Sequence, residues 1–181
     1  MKSFGANVVR LVIVAMIVGC AGLQKQAQAG ERLNFNFPTD LGVPKFSKKF
    51  TIKPKEMYLT RLVLEGDSID NWTEALEIVN TWRKNYPPTI DNAYQETFEG
   101  RIKQCPESAF SVISKDSSSI LYEIKTVNCQ PNPDENSLTR MLYGNSDVFV
   151  LIYTNKVKET SKERRDGWIK ALSEAKIEVK N

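Results

Sequence analysis

The sequence predicts an α+β domain over residues 50–181, an antiparallel sheet built from two hairpins plus an N-terminal strand and flanked by about three helices. Three observations lead there. Apolar stretches come in two close pairs, Ala109–Ile113 with Ile120–Val127 and Ser137–Tyr143 with Val148–Thr154, each joined by short turn-forming residues, as hairpin strands are. Other stretches repeat their apolar residues at helical spacing. The order strand, helix, helix, hairpin, hairpin, helix favours antiparallel pairing with the helices packed outside the sheet.

Met57 to Leu64 is rich in branched and aromatic residues and reads as a strand, ended by Glu65-Gly66-Asp67. A helix is expected from Asp70 or Asn71, with Glu74 completing a box-like cap and Trp72, Ala75, Leu76, Val79 and Trp82 on one apolar face. Pro87-Pro88 stops it, because proline lacks the amide donor and restricts the residue before it. A second helix is expected over Ile90 to Gln104, with Ile90, Ala93, Tyr94, Phe98 and Ile102 inward and Gly100 weakening its middle. The first hairpin turns on Lys115-Asp116-Ser117-Ser118-Ser119, and Gln130 to Asn136 is a loop by composition. The second hairpin turns on Gly144-Asn145-Ser146-Asp147. Its outgoing strand is nearly all apolar from Val148 to Tyr153, which predicts a central strand covered on both faces. A capping box, Thr160-Ser161-Lys162-Glu163, opens a last helix with Trp168, Ile169, Leu172 and Ala175 on one side. Lys176 to Asn181 is a short polar end from which Ile177 and Val179 return to the sheet.

Residues 1–19 read as an export signal: Lys2 and Arg10, the apolar run Leu11 to Val18, then small residues. That run falls short of the roughly 20 apolar residues of a bilayer-spanning helix. Ile17-Val18-Gly19-Cys20 resembles a bacterial lipobox, in which the cysteine is lipidated at Cys20 and becomes the new N-terminus. Ala27-Gln28-Ala29 offers a second cleavage site that would release a soluble periplasmic or secreted protein, and an uncleaved anchor is the third alternative. All three place the folded part outside the cytoplasm, the lipobox reading at a membrane of the cell envelope through a lipid anchor. Residues 20–49 read as tether and lead-in, with Phe35, Phe37, Leu41, Val43 and Phe46 available to dock on the domain. Lys45, Lys48, Lys49, Lys53 and Lys55 give this end a positive bias that suits either a solvated face or anionic headgroups.

The chain beyond the signal is long enough for one domain with a sizeable core. Removing Lys2 and Arg10 leaves 25 − 2 = 23 basic residues against 22 acidic ones. That balance gives no electrostatic case for a nucleic-acid partner. Cys105 and Cys129 pair most simply as a disulfide in an exported domain, with free or metal-binding thiols as the alternative. Histidine is absent, which excludes Ser-His-Asp and Cys-His catalysis and the usual His-containing zinc and copper sites.

The run Glu65-Gly66-Asp67-Ser68-Ile69-Asp70-Asn71-Trp72-Thr73-Glu74 resembles the strand-to-tryptophan-helix passage of bacterial envelope proteins with the Mog1/PsbP-like fold. Ser137 to Arg140, Gly144 to Tyr153 and Trp168 to Leu172 continue the likeness, which covers about residues 50–178. The resemblance implies a non-enzymatic binding or assembly module, although fold alone does not fix function.

Few residues stand out as sites. Trp72, Trp82 and Trp168 read as core before recognition surface. Glu65, Asp67, Asp70, Glu74 and Glu77 cluster around the first expected helix start, where Asp67 and Asp70 could bind a hard cation such as calcium, but the spacing matches no EF-hand and acids also favour a helix start. Lys156, Lys158, Lys162, Arg164 and Arg165 form a basic patch near the last helix start, either solvated or facing an acidic partner or headgroup. No catalytic residue, metal site or cofactor is indicated. The first reading is therefore an exported, lipid-anchored module that binds an envelope protein. The alternatives are a carrier of a small apolar ligand or lipid, and a histidine-free enzyme using carboxylates or serine–lysine chemistry. The oligomeric state is not legible in the sequence.

Overall fold

The computed structural model describes residues 30–38, 46–52, 57–157 and 159–179. In chain order these form β1 (Glu31–Asn34), β2 (Phe46–Ile52), β3 (Met57–Leu64), β4 (Glu74–Trp82), α1 (Ile90–Gln104), β5 (Ala109–Lys115), β6 (Ser119–Thr126), β7 (Glu135–Tyr143), β8 (Asp147–Asn155), α2 (Lys162–Glu174) and β9 (Lys176–Val179). The lipobox with Cys20, the alternative site at Ala29, and Lys158 lie outside the described residues.

Seven strands make one antiparallel sheet in the order β2-β3-β4-β8-β7-β6-β5, while β1 and β9 form a separate two-stranded ribbon. The large sheet is two meanders joined side by side. α1 carries the chain from β4 to the far edge, and β8 then returns to pair with β4 along nine residues, from Glu74↔Asn155 to Trp82↔Asp147. That ladder is the seam of the molecule, and β8, flanked by β4 and β7, is the covered central strand its composition predicts.

Strand alternation sends successive side chains to opposite faces, and each face has its own core. On one, Ile120, Tyr122, Ile124, Met141, Val148 and Val150 pack against Ile90 and Ala93 of α1. On the other, Leu76, Leu121, Leu138, Phe149, Leu151 and Tyr153 pack against Trp168, Leu172 and Ala175 at α2, with Leu33, Phe35 and Ile177 of the ribbon against the same cluster. The molecule is thus a sheet with α1 on one side and α2 plus the ribbon on the other. Thr89 caps α1 by accepting from the Asn92 amide, and Ser161 caps α2 by accepting from the Arg164 amide.

The expected fold class needs correction. Among the described residues there are two α-helices rather than three, and the expected helix over residues 70–82 is the strand β4. Its apolar set divides between the faces: Ala75 and Val79 point to the α1 side, Leu76 and Ile78 to the α2 side. The same residues fit a two-residue period as well as a helical one, and β3 on one side with β8 on the other supply ladder partners that decide between them. The sheet accordingly exceeds two hairpins and one strand, and part of the run carrying the Mog1/PsbP-like resemblance is loop and strand instead of helix.

Candidate functional site

The predicted basic patch is the natural place to begin, and folding consumes most of it. Arg164 and Arg165 are adjacent on the first turn of α2, which lies against the sheet. The Arg164 guanidinium donates to Glu74 of β4 at 2.5 and 3.1 Å and to the Tyr153 hydroxyl of β8 at 3.2 Å. The Tyr153 hydroxyl donates to the same Glu74 carboxylate at 3.0 Å, and Asn155 Nδ2 donates to that hydroxyl. Arg165 makes a two-pronged contact with Glu123 of β6, both arms 2.9 Å. Planar guanidinium on carboxylate is the strong, directional form of ion pair. Lys162 pairs with Asp166 one turn along α2. Lys156, beyond β8, places its ammonium 3.8 Å from the Trp72 ring centroid. Arg164 and Arg165 are thus braces between α2 and the sheet, whereas the Lys162–Asp166 pair lies on the solvent side of α2.

The brace around Glu74 resembles an acid–base group, and its electrostatics argue otherwise. Burial, then the Glu74 charge, push the Tyr153 phenol up to about 12, while a general acid or base works best with a pKa near the operating pH. The ring of Tyr153 also stacks on Trp168, centroids 4.2 Å apart, and Trp168 is fully buried. The network ties α2 to the β4–β8 seam.

The acidic cluster disperses in the same way. Glu74 and Glu77 lie on opposite faces of β4, Glu77 pairing with Arg61 of β3. Asp67 accepts from the Thr73 amide and hydroxyl at 2.7 and 3.0 Å, closing the loop between β3 and β4. Among the described residues no group of three or more His, Cys, Asp or Glu is gathered to hold a metal. Trp72 ends this loop with the Arg61 guanidinium 5.9 Å from its ring centroid, so two cations attend one indole. Burial lowers the Lys156 ammonium from its ordinary value. Sequence reasoning missed this clamp, because Lys156 is far from Trp72 in the chain; a tryptophan in a Gly-Asp-Ser-Ile-Asp-Asn stretch is the sole local hint.

Cys105 and Cys129 are joined, with Cα atoms 5.2 Å apart, inside the usual range for a disulfide. Both are buried. The bridge fastens the C-cap of α1 to the chain just after β6. Beside it lies a half-open cleft of about 300 Å³, lined by Gln104, Glu107, Asn128 and Gln130 around the cystine. Asn128 sits at φ 56°, a left-handed conformation asparagine tolerates, with its amide held by Asp134 and its side chain by Glu107. Past the cleft begins β5, an edge of the sheet. It carries a register shift between Val112 and Ser114, and Val112 is 49% exposed.

No family model matches the chain, and no curated protein matches it. Among solved structures, the human StarD13 (DLC2) lipid transfer and protein localization domain is similar at 11% identity and a TM-score of 0.28, covering 71% of this chain and 86% of that one. A likeness that loose carries no argument about fold or function.

Proposed function

We propose that the chain is an exported binding module of the bacterial cell envelope, anchored through a lipid on Cys20 and recognising a protein partner by surface contact. The observation that carries the proposal is the cystine. A buried bridge between α1 and the end of β6 supports this reading, because disulfides persist in oxidising compartments such as the one an export signal leads to. The recognition surface is the cystine corner with the adjoining β5 edge. Edge strands present unpaired amides and carbonyls, and this one is nearly uncharged, with Ser111, Val112 and Ser114 exposed. Loops and edges on a braced scaffold are where binding concentrates.

Labelled palmitate fed to cells should attach to the wild-type chain and not to Cys20→Ala; absence of label on the wild type removes the anchor. A photo-crosslinker at Val112 should capture a discrete envelope protein, and one on the exposed outer side of α2 should not. Equal capture from both positions, or from neither, overturns the surface assignment.

The carrier reading retains one observation, the cleft, whose volume sits at the lower bound of ligand pockets. Native mass spectrometry of protein taken gently from envelopes would show a constant added mass under that reading.

A further inference from the structure

The turn joining β7 to β8 grips a carboxylate that comes from far away in the chain. The backbone N–H groups of Asn145, Ser146 and Asp147 donate to Glu31 at 2.8, 3.1 and 3.0 Å, and the Ser146 hydroxyl, whose one proton has Asp147 nearer at 2.7 Å, stands 3.3 Å from the same carboxylate. Successive N–H groups converging on one anion form a nest, the device by which backbone alone binds anionic groups. Gly144 completes it, since a Cβ there would overlap the Glu31 carboxylate.

The nest is shaped by the sheet rather than by Glu31. Gly144 N–H donates to the Asp147 carbonyl at 2.8 Å, and Arg83 N–H donates to the Ser146 carbonyl at 2.8 Å, so two backbone hydrogen bonds that do not involve Glu31 hold the turn. The strand that delivers Glu31 is short: β1 has four residues and, among the described strands, pairs with β9 alone, with Leu33 and Ile177 packed on the α2-side core. Its Arg32–Glu178 ion pair is largely exposed. The nest also selects for charge: the Asp147 carboxylate, which accepts from Ser146 Oγ at 2.7 Å and Asn80 Nδ2 at 3.2 Å, stands beside it. A second negative charge on the bound group would meet that carboxylate at close range.

We infer that the β7–β8 turn is a carboxylate-binding site which the chain's own Glu31 fills, and that an external carboxylate takes the same amides once Glu31 is withdrawn. The site is separate from the cystine corner and does not depend on the envelope reading. In Glu31→Ala, ¹⁵N-labelled and titrated with acetate, the amides of Asn145, Ser146 and Asp147 shift saturably; in the wild type they stay fixed. Phosphate at pH 7 acts about fivefold more weakly than acetate because of Asp147. Hydrogen exchange at the three amides is faster in Glu31→Ala, and acetate slows it where chloride at equal ionic strength does not. Amides unmoved by acetate in Glu31→Ala, or moved equally in the wild type, overturn the site, and phosphate binding as tightly as acetate overturns the selectivity. Glu31→Gln keeps the length and shape of the side chain without its charge; exchange at wild-type rates in that variant shows that no carboxylate is being recognised and sinks the inference as well.

Discussion

Glu123 is 6% exposed, on a strand whose neighbours are almost wholly buried, and Arg165 is the group that makes its charge tolerable there. Removing one partner of a fully buried pair costs roughly 3–5 kcal/mol. Arg165 is a third exposed, so water partly replaces it, and Arg165→Ala is expected to cost about 2 kcal/mol in chemical denaturation. Glu123→Gln combined with Arg165→Met should recover most of that loss, and a double-mutant cycle measures the coupling. Asp116 governs the β5–β6 turn in a pH-dependent way. Hydrogen bonds from the Ser119 hydroxyl, then the Ser118 amide, hold its carboxyl down at about 2, below the ordinary aspartate value of 3.8. A depressed carboxyl stabilises the fold above its unfolded pKa and loses that contribution as pH falls through the folded value. The turn should therefore loosen between about pH 4 and pH 2, visible as faster amide exchange at Ser118 and Ser119, while Asp116→Asn lacks this pH dependence.

At the scale of elements, two of the contacts that fix the helices to the sheet have a measurable weight. The bridge between Cys105 and Cys129 spans a sequence separation of 24 and closes a loop that the chain-entropy account values at about 3.5 kcal/mol. Cys105→Ser with Cys129→Ser should lower stability by nearly that amount, and a reductant should do the same to the wild type and nothing to the double variant. Trp168 plays the matching part for α2. It is fully buried between that helix and the sheet, so Trp168→Ala should cost about 3–5 kcal/mol and detach α2 from the seam, read as lost near-ultraviolet circular dichroism. Both helices and both hairpins are legible from local pattern, α1 to its bounds of Ile90 and Gln104. Their apolar spacing, caps and turn residues act over a few positions, so nothing distant has to be known. The stretch over 70–82 misleads for the complementary reason. Nothing within Asn71 to Trp82 says whether β-partners exist, and its Ala, Leu, Glu, Ile and Val suit either period.

The whole molecule joins two meanders along β4 and β8 and leaves β2 and β5 at the edges of the large sheet. β5 shows devices that protect an edge, a register shift at Val112/Ser114 and a terminal Lys115 that pairs with Asp91 of α1, yet Val112 in its middle stays exposed. Val112→Lys should leave thermal stability within about 0.5 kcal/mol of wild type and abolish capture of the proposed partner; unchanged capture would place recognition elsewhere. At this scale the basic patch also changes meaning. Arg164 and Arg165 face Glu74 and Glu123, which stand 90 and 42 residues before them, so their charge is spent inside the fold.

By itself the sequence determined what is local or compositional: the absence of histidine, the near-neutral charge of the body, two cysteines fit to pair, the caps and turns, and the amphipathic stretches. Tertiary structure alone decided which strands meet, and with that the state of residues 74–82, the partners of the arginines, the clamp on Trp72 and the carboxylate held at the β7–β8 turn. Hydrogen-bonded ladders and ion pairs join residues scores of positions apart, and a residue's own neighbourhood in the chain holds no record of which distant group will satisfy it.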